Sequence, residues 1–220
     1  MQGIVSEITI MAEDMHRITV QMPADTPFIY KPGDYVFLTV AGYDPRPYSI
    51  ANAPRDNNSI DFYIKKNPHG TSGALCDTLT VCDAIAISAP YHQFDFPNDD
   101  APVDFVTGGM GITPFLGMIE SYRQGQPKLR LYWGVETEND LYFMPFLEEQ
   151  RLRLGDIFDV IVTIANRDGN IMDAYFKSFD QTQKHHVYLS GPRAMILAGV
   201  ERLLANGVEQ HMIHYDVPTS

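Results

Sequence analysis

The chain changes its structural grammar once, near residue 100, and that change limits the folds open to it. Before the change, short strand-like runs alternate with Gly/Pro turns. Residues 18–22 end at Pro23; residues 35–40 follow the turn Lys31-Pro32-Gly33-Asp34; residues 60–65 alternate apolar and polar; residues 84–88 form a further short run. One helix fits there, over 72–80. After the change, strand and helix patterns alternate: strands over 103–107, 128–133, 158–165, 187–189 and 212–215, helices over 113–124, 144–154, 171–179 and 193–205. The Pro-bounded acidic stretch from Phe96 to Pro102 separates the two patterns. Short strands with turns predict an antiparallel β-barrel over 1–98. Alternating strands and helices predict an α/β domain with a parallel sheet over 103–220.

With 45% hydrophobic residues, the 220-residue chain has enough apolar material for two cores. A net charge of −12 argues against a nucleic-acid partner and favours a basic protein partner, if any. No apolar run approaches the roughly 18–20 residues that span a bilayer. The first residues lack the pattern of a signal peptide, so a cytoplasmic location is expected. Two cysteines, Cys76 and Cys82, are too few for a four-thiolate iron–sulfur cluster, and both are expected to be ordinary thiols. The pairs His185/His186 and His211/His214 have spacings that send side chains to opposite faces of a strand, so no metal site is expected.

Two segments carry chemistry. Thr107-Gly108-Gly109-Met110-Gly111-Ile112-Thr113-Pro114 follows a strand and opens a helix. Glycines there let a backbone approach a pyrophosphate, and the helix start offers N–H groups and a positive dipole end. A tight strand–helix turn without a ligand would use the same residues. Arg46-Pro47-Tyr48-Ser49 lies between two strands of the barrel half. Its Arg can pair with a phosphate, its Tyr can pack on a planar heterocycle, and its Ser can hydrogen-bond a ring nitrogen. An exposed loop arginine is the plainer account of that tetrapeptide taken alone.

In this order and spacing, and with Ser190-Gly191-Pro192 ending a late strand, the segments resemble the ferredoxin–NADP reductase superfamily. The length resembles its compact NAD(P)H–flavin reductases. The resemblance implies a flavin, FAD or FMN, with NADH or NADPH as co-substrate, and hydride transfer from nicotinamide to flavin N5. Arg46 would hold the flavin phosphate together with Gly70, Thr71 and Ser72. Tyr48 would pack on the ring, Pro47 beside it would belong to the flavin site, and Ser49 would stand nearest the reacting atoms. Tyr63, Ile64 and Lys65 would line the ribityl chain. Gly108, Gly109, Gly111 and Ile112 would hold the dinucleotide, with Thr113, Ser190, Gly191 and Pro192 beside the nicotinamide.

The chain departs from that family at four places. His92 stands for a glycine in Ala89-Pro90-Tyr91-His92-Gln93-Phe94, Ser190 for a cysteine, and Cys82 for a turn glycine. Pro218, after Asp216, stands where an aromatic is expected. The resemblance leaves three roles open: a reductase passing electrons to free flavin or another small acceptor, a component with bound FAD serving a separate ferredoxin, haem or oxygenase protein, and a non-enzymatic flavin sensor. Glu136, Glu138 and Asp140, with no cation among residues 134–140, favour NADH over NADPH.

Overall fold

A computed structural model describes residues 1–25 and 27–215 and divides into two compact units. The first unit comprises Met1–Asp95 with Thr113–Ser121; the second comprises Phe96–Ile112 with the residues from Tyr122 onward. Asp216 and Pro218 lie outside the described residues.

The first unit is built on strands β1 (Gln2–Ala12), β2 (Met15–Gln21), β3 (Tyr35–Thr39), β4 (Arg46–Ser49) and β5 (Ser59–Lys65), helix α1 (Thr71–Thr78) and strand β6 (Ala84–Ile87). The strands make one antiparallel sheet in the order β4-β3-β6-β1-β2-β5. Alternate residues point inward, as the pleat requires. Val5, Ile18, Val20, Val36, Leu38, Ile60, Phe62, Ile64 and Ile85 form one core cluster, to which α1 contributes Leu75.

The edge strands are joined beyond the ladder. Ala51 N–H donates to the Asp61 carbonyl (2.9 Å), and Asp61 N–H donates to Asn52 Oδ1 (2.7 Å). Buried Asn52 uses its Nδ2 on Tyr30 Oη (2.9 Å) and on the carbonyls of Ala53 (2.8 Å) and Ser59 (3.2 Å). Helix α2 (Thr113–Ser121) packs with this unit. A Cβ on its Gly117 would fall 2.8 Å from the Asn52 carbonyl oxygen, and its Glu120 accepts from Ala53 N–H at 2.6 Å.

The second unit carries β7 (Val103–Gly108), β8 (Leu129–Val135), α3 (Met144–Leu154), β9 (Phe158–Ile164), α4 (Ala165–Asp168), α5 (Ile171–Ser178), β10 (His186–Ser190), α6 (Arg193–Ala205) and β11 (Ile213–Tyr215). All five strands are parallel, in the order β11-β10-β7-β8-β9. One face packs on α5 and α6 through Val106, Tyr132, Val187, Leu189, Met172 and Ile196.

Within the packing lies an ionic staple. Fully buried Asp104 receives Arg130 through two bonds of 2.7 Å and the Tyr175 hydroxyl at 3.1 Å. His185, whose pKa is pushed down chiefly by burial against the opposing pull of Asp104, has its Nδ1 3.0 Å from Arg130 Nη2, the nitrogen that also bonds Asp104. His186 turns to the other side, between Asp99 (3.2 Å) and His214 (3.0 Å), so the two adjacent histidines diverge as a strand's alternation requires. His211 lies in a 3₁₀ turn (Gln210–Met212), not in the strand the sequence suggested. No helix among the described residues is long and apolar enough to cross a membrane.

Cys82, at the turn where a glycine is usual, has φ +79°. A side chain in that region crowds its own carbonyl, at a cost of about 1–2 kcal/mol. Cys82→Gly is therefore expected to stabilise the protein by about 1 kcal/mol, read as a higher urea midpoint at unchanged slope.

Candidate functional site

Each unit gathers part of the residues singled out from the sequence. In the first, β4 pairs with β3 in the register Leu38–Arg46, Phe37–Pro47, Val36–Tyr48 and Tyr35–Ser49. This alternation puts Arg46 and Tyr48 on one face of the strand, and Pro47 and Ser49 on the other. Tyr48 packs on the barrel core, as does Cys76 of α1. Burial pushes its hydroxyl pKa up to about 12, so it stays a neutral phenol. Burial likewise raises Cys76 to about 11, which leaves it an unreactive thiol.

Arg46 is exposed, and among the described residues it makes no hydrogen bond and no ion pair. The start of α1 lies beside it in the fold: Thr71 Oγ1 donates to the carbonyl of Asp44, two residues before Arg46 (3.2 Å). Gly70 is the N-cap of α1 in extended conformation (φ −150°), without a side-chain capping bond. The first turn of α1 carries no acidic residue, and a Cβ on Gly70 would meet nothing within 4 Å. A helix start with open space, no carboxylate and an unpaired arginine nearby suits an anion. Ser72 uses its hydroxyl oxygen to accept from Asn67 N–H (3.0 Å), which shapes the approach to the helix.

The remaining three residues of this group sit on β5. Ile64 is buried in the core, so only its backbone faces outward. Tyr63 stands beside Arg17 of β2, its pKa raised chiefly by burial. Lys65 pairs with Asp14 in the β1–β2 turn (3.5 Å). His92 fills its glycine's place as a bridge, with Nδ1 at 2.9 Å from Asp34 and Nε2 at 2.8 Å from Asp95.

In the second unit, strand order reverses between β7 and β10. At that point a parallel sheet opens a crevice beyond its carboxyl ends. Both candidate loops leave from there: Gly108, Gly109, Gly111 and Ile112 after β7, and Gly191 and Pro192 after Ser190, the last residue of β10. Ser190 is in register with Thr107.

The two loops touch backbone to backbone. A Cβ on Gly111 would fall 2.5 Å from Gly191 Cα, and one on Gly191 would fall 2.8 Å from the Gly108 carbonyl oxygen. Gly109, by contrast, has open space around it but φ +54°, so its constraint is conformational. Ile112 is fully buried and anchors the loop, which continues directly into Thr113 and α2.

Two features escaped the sequence reading because tertiary structure creates them. Trp133 of β8 donates its indole N–H to the Gly109 carbonyl at 2.9 Å. Beyond β8 and β9 lies a pocket of about 380 Å³ lined by Thr137, Glu138, Asn139, Ile164, Asn166 and Arg167. The sequence offered no cation in the loop after β8. The fold brings one from after β9, where Arg167 pairs with Glu138 (2.9 Å) and Asp168 (2.9 Å). Inspecting every segment that follows a strand of a parallel sheet would have found it.

Comparison with known proteins matches both units. Residues 2–96 match the family described as "Oxidoreductase FAD-binding domain", and residues 105–200 match "Oxidoreductase NAD-binding domain". These two matches and the fold define a flavin- and nicotinamide-nucleotide-binding oxidoreductase. Each unit thus matches one oxidoreductase domain, and the fold is ferredoxin reductase-like.

Among its relatives, the reductase component of propane 2-monooxygenase from Rhodococcus jostii is 29% identical, over 98% of this chain and 63% of that protein. The counterpart from Mycolicibacterium goodii is 31% identical, over 88% and 60%. The chain thus spans about three-fifths of the length of these relatives. A solved cytochrome P450 reductase from Amycolatopsis superposes with a TM-score of 0.87 at 26% identity, over 97% of this chain and 68% of that one. The flavohem-like FAD/NAD-binding domain of a Vibrio cholerae nitric oxide dioxygenase shares the fold, with a TM-score of 0.83 at 22% identity, over 99% and 98%.

The glycine contact yields a direct test. Gly111→Ala should force the two loops apart and destabilise the protein by about 1–3 kcal/mol, measured by chemical denaturation.

Proposed function

We propose that the chain is the flavin- and nicotinamide-handling part of an electron-transfer reductase, taking hydride from NADH and delivering electrons to a separate redox protein. The observation that carries this reading is the coexistence, in one chain, of two phosphate-suited backbone sites of different construction. One is an uncapped helix start beside an unpaired arginine; the other is a pair of touching glycine loops at a sheet's switch point. A sensor of flavin alone would need only the first. Residues 1–98 are then the flavin domain and 103–220 the nicotinamide domain. The named roles of the relatives, reductase components of oxygenases, support a protein acceptor over free flavin.

In this reading Arg46 supplies charge-assisted bonds to the flavin phosphate, and the N–H groups of Thr71 and Ser72 supply the rest. Tyr48 packs against the ring, Pro47 belongs to the same motif, Tyr63, Ile64 and Lys65 follow the ribityl chain, and Ser49 presents its hydroxyl near the reacting edge. Gly108, Gly109, Gly111 and Ile112 hold the coenzyme pyrophosphate, while Thr113, Ser190, Gly191 and Pro192 orient the nicotinamide. Bound flavin supplies the hydride-accepting and electron-releasing chemistry. The protein's contribution is alignment and exclusion of water, so no side chain is assigned as acid or base.

Arg46→Ala is expected to weaken FAD binding roughly tenfold with unchanged circular dichroism, since a hydrogen bond to a charged group contributes about 1.5 kcal/mol or more. Equal FAD affinity in the variant removes Arg46 from the site. Purified protein without flavin absorbance, coupled to rapid NADH oxidation by added free flavin, would favour the small-acceptor reading instead.

Coenzyme choice follows from the pocket beyond β8 and β9. Its one cation among the described residues, Arg167, is already held by two carboxylates, Glu138 in the lining and the adjoining Asp168, and Glu136 and Asp140 flank Glu138 in sequence. A 2′-phosphate entering this field meets net repulsion, so kcat/KM should be higher for NADH than for NADPH. Glu138→Gln removes one charge and weakens the hold on Arg167 Nη1, leaving the pair with Asp168, which should narrow the ratio about fivefold, less at high salt. A wild-type preference for NADPH contradicts this assignment.

A further inference from the structure

The sole tryptophan of the chain lies beneath the loop assigned to the coenzyme pyrophosphate. Trp133 is 1% exposed and stands on β8 in register with Thr107, the residue from which the glycine loop departs. Its indole reaches two residues further along the neighbouring strand and donates to the Gly109 carbonyl at 2.9 Å. Phe143, the N-cap of α3, packs against the ring at 5.7 Å between centroids and holds it from the other side. Gly109 is the loop's left-handed residue, at φ +54°, with nothing within 4 Å of where its Cβ would be. Side-chain packing therefore does not fix this glycine, although glycine is the residue type with the widest backbone freedom.

We infer that Trp133 is a positioning residue for the dinucleotide: its indole N–H fixes the Gly109 peptide so that the loop is already in its binding conformation before the coenzyme arrives. A peptide unit is planar, so anchoring its carbonyl oxygen sets the orientation of the whole unit about the chain axis. A loop that binds phosphate through its backbone depends on that orientation. Holding it in advance removes an ordering cost that would otherwise fall on binding. Trp133 is buried beneath the loop, so it would touch no reacting atom. Its loss should therefore weaken coenzyme binding and leave the transfer step at saturation alone. This inference rests on the coenzyme site proposed above.

The test compares two variants of the flavin-loaded protein with wild type, using NAD+ titrated by calorimetry and NADH in steady state. Trp133→Phe keeps an aromatic ring against Phe143 and deletes the donor, with some loss of volume that Phe143→Leu controls for. The expected result is about a tenfold rise in NAD+ Kd and NADH KM, the size of one buried hydrogen bond, with kcat and FAD affinity unchanged. Phe143→Leu loosens the packing and keeps the indole donor. It should lower the unfolding temperature while leaving KM near that of wild type. Unchanged Kd and KM in Trp133→Phe overturn the inference, and so does an equal rise in Phe143→Leu, which would make packing rather than the hydrogen bond responsible. If wild type binds no NAD+, the proposed function fails and this inference fails with it. Binding by wild type with equal affinity in Trp133→Phe sinks the inference alone.

Discussion

The first unit depends on one buried amide. Asn52 takes the backbone N–H of Asp61 on one edge strand and gives its own hydrogens to Tyr30, Ala53 and Ser59, so the segment leaving β4 is pinned to β5. Antiparallel sheets leave two open edges unless they close, and closure here is made by side chain as much as by ladder. The motif Arg46–Ser49, proposed above to hold the flavin, occupies the strand just before this clasp, and the close approach of Gly117 seats α2 on the clasp. An aspartate at this position would keep the acceptor but lose both donor hydrogens, leaving two buried carbonyls and a phenol without their partner.

The second unit is organised by a contrast along its strands. Near their amino ends, Asp104, Arg130, Tyr175 and His185 bond to one another in a buried polar cluster, with His185 Nε2 left without a partner. At their carboxyl ends, glycines replace side chains and backbones meet. Breaking a buried ion pair costs far more than removing it whole, so the first region resists piecemeal change. The second brings its backbones together by giving up side chains. The ionic staple thus holds β7 and β8 in the register that lets Trp133 reach Gly109.

Much of this was legible in the chain, for identifiable reasons. Helices α3 and α6 begin and end where their apolar spacing and flanking glycines put them. The loop after β7 announces itself because three glycines in four residues have few other uses. Strand β1, the longest in the barrel, was not legible. Its register shifts between Val5 and Glu7 and again between Ile10 and Ala12, and each bulge resets the alternation that marks a strand. Arg167 and Trp133 were invisible as site residues for another reason. Their roles come from neighbours 29 and 24 positions away in sequence. Nothing in the residues around Trp133 signals this, and Arg167 is marked only by following a strand of the parallel sheet. His92 was visible as a departure, but the carboxylates that receive it were not.

The strained turn at Cys82 has a practical side. The side chain of Cys82 is exposed, whereas Cys76 is half-buried with its pKa pushed up to about 11, so at neutral pH the two thiols differ sharply in reach for an electrophile. A maleimide dye or spin label would therefore attach to the barrel at a single place, without any engineered residue. Paired with the lone indole of Trp133 as an optical donor, it gives the unaltered chain two spectroscopic landmarks, one in each unit.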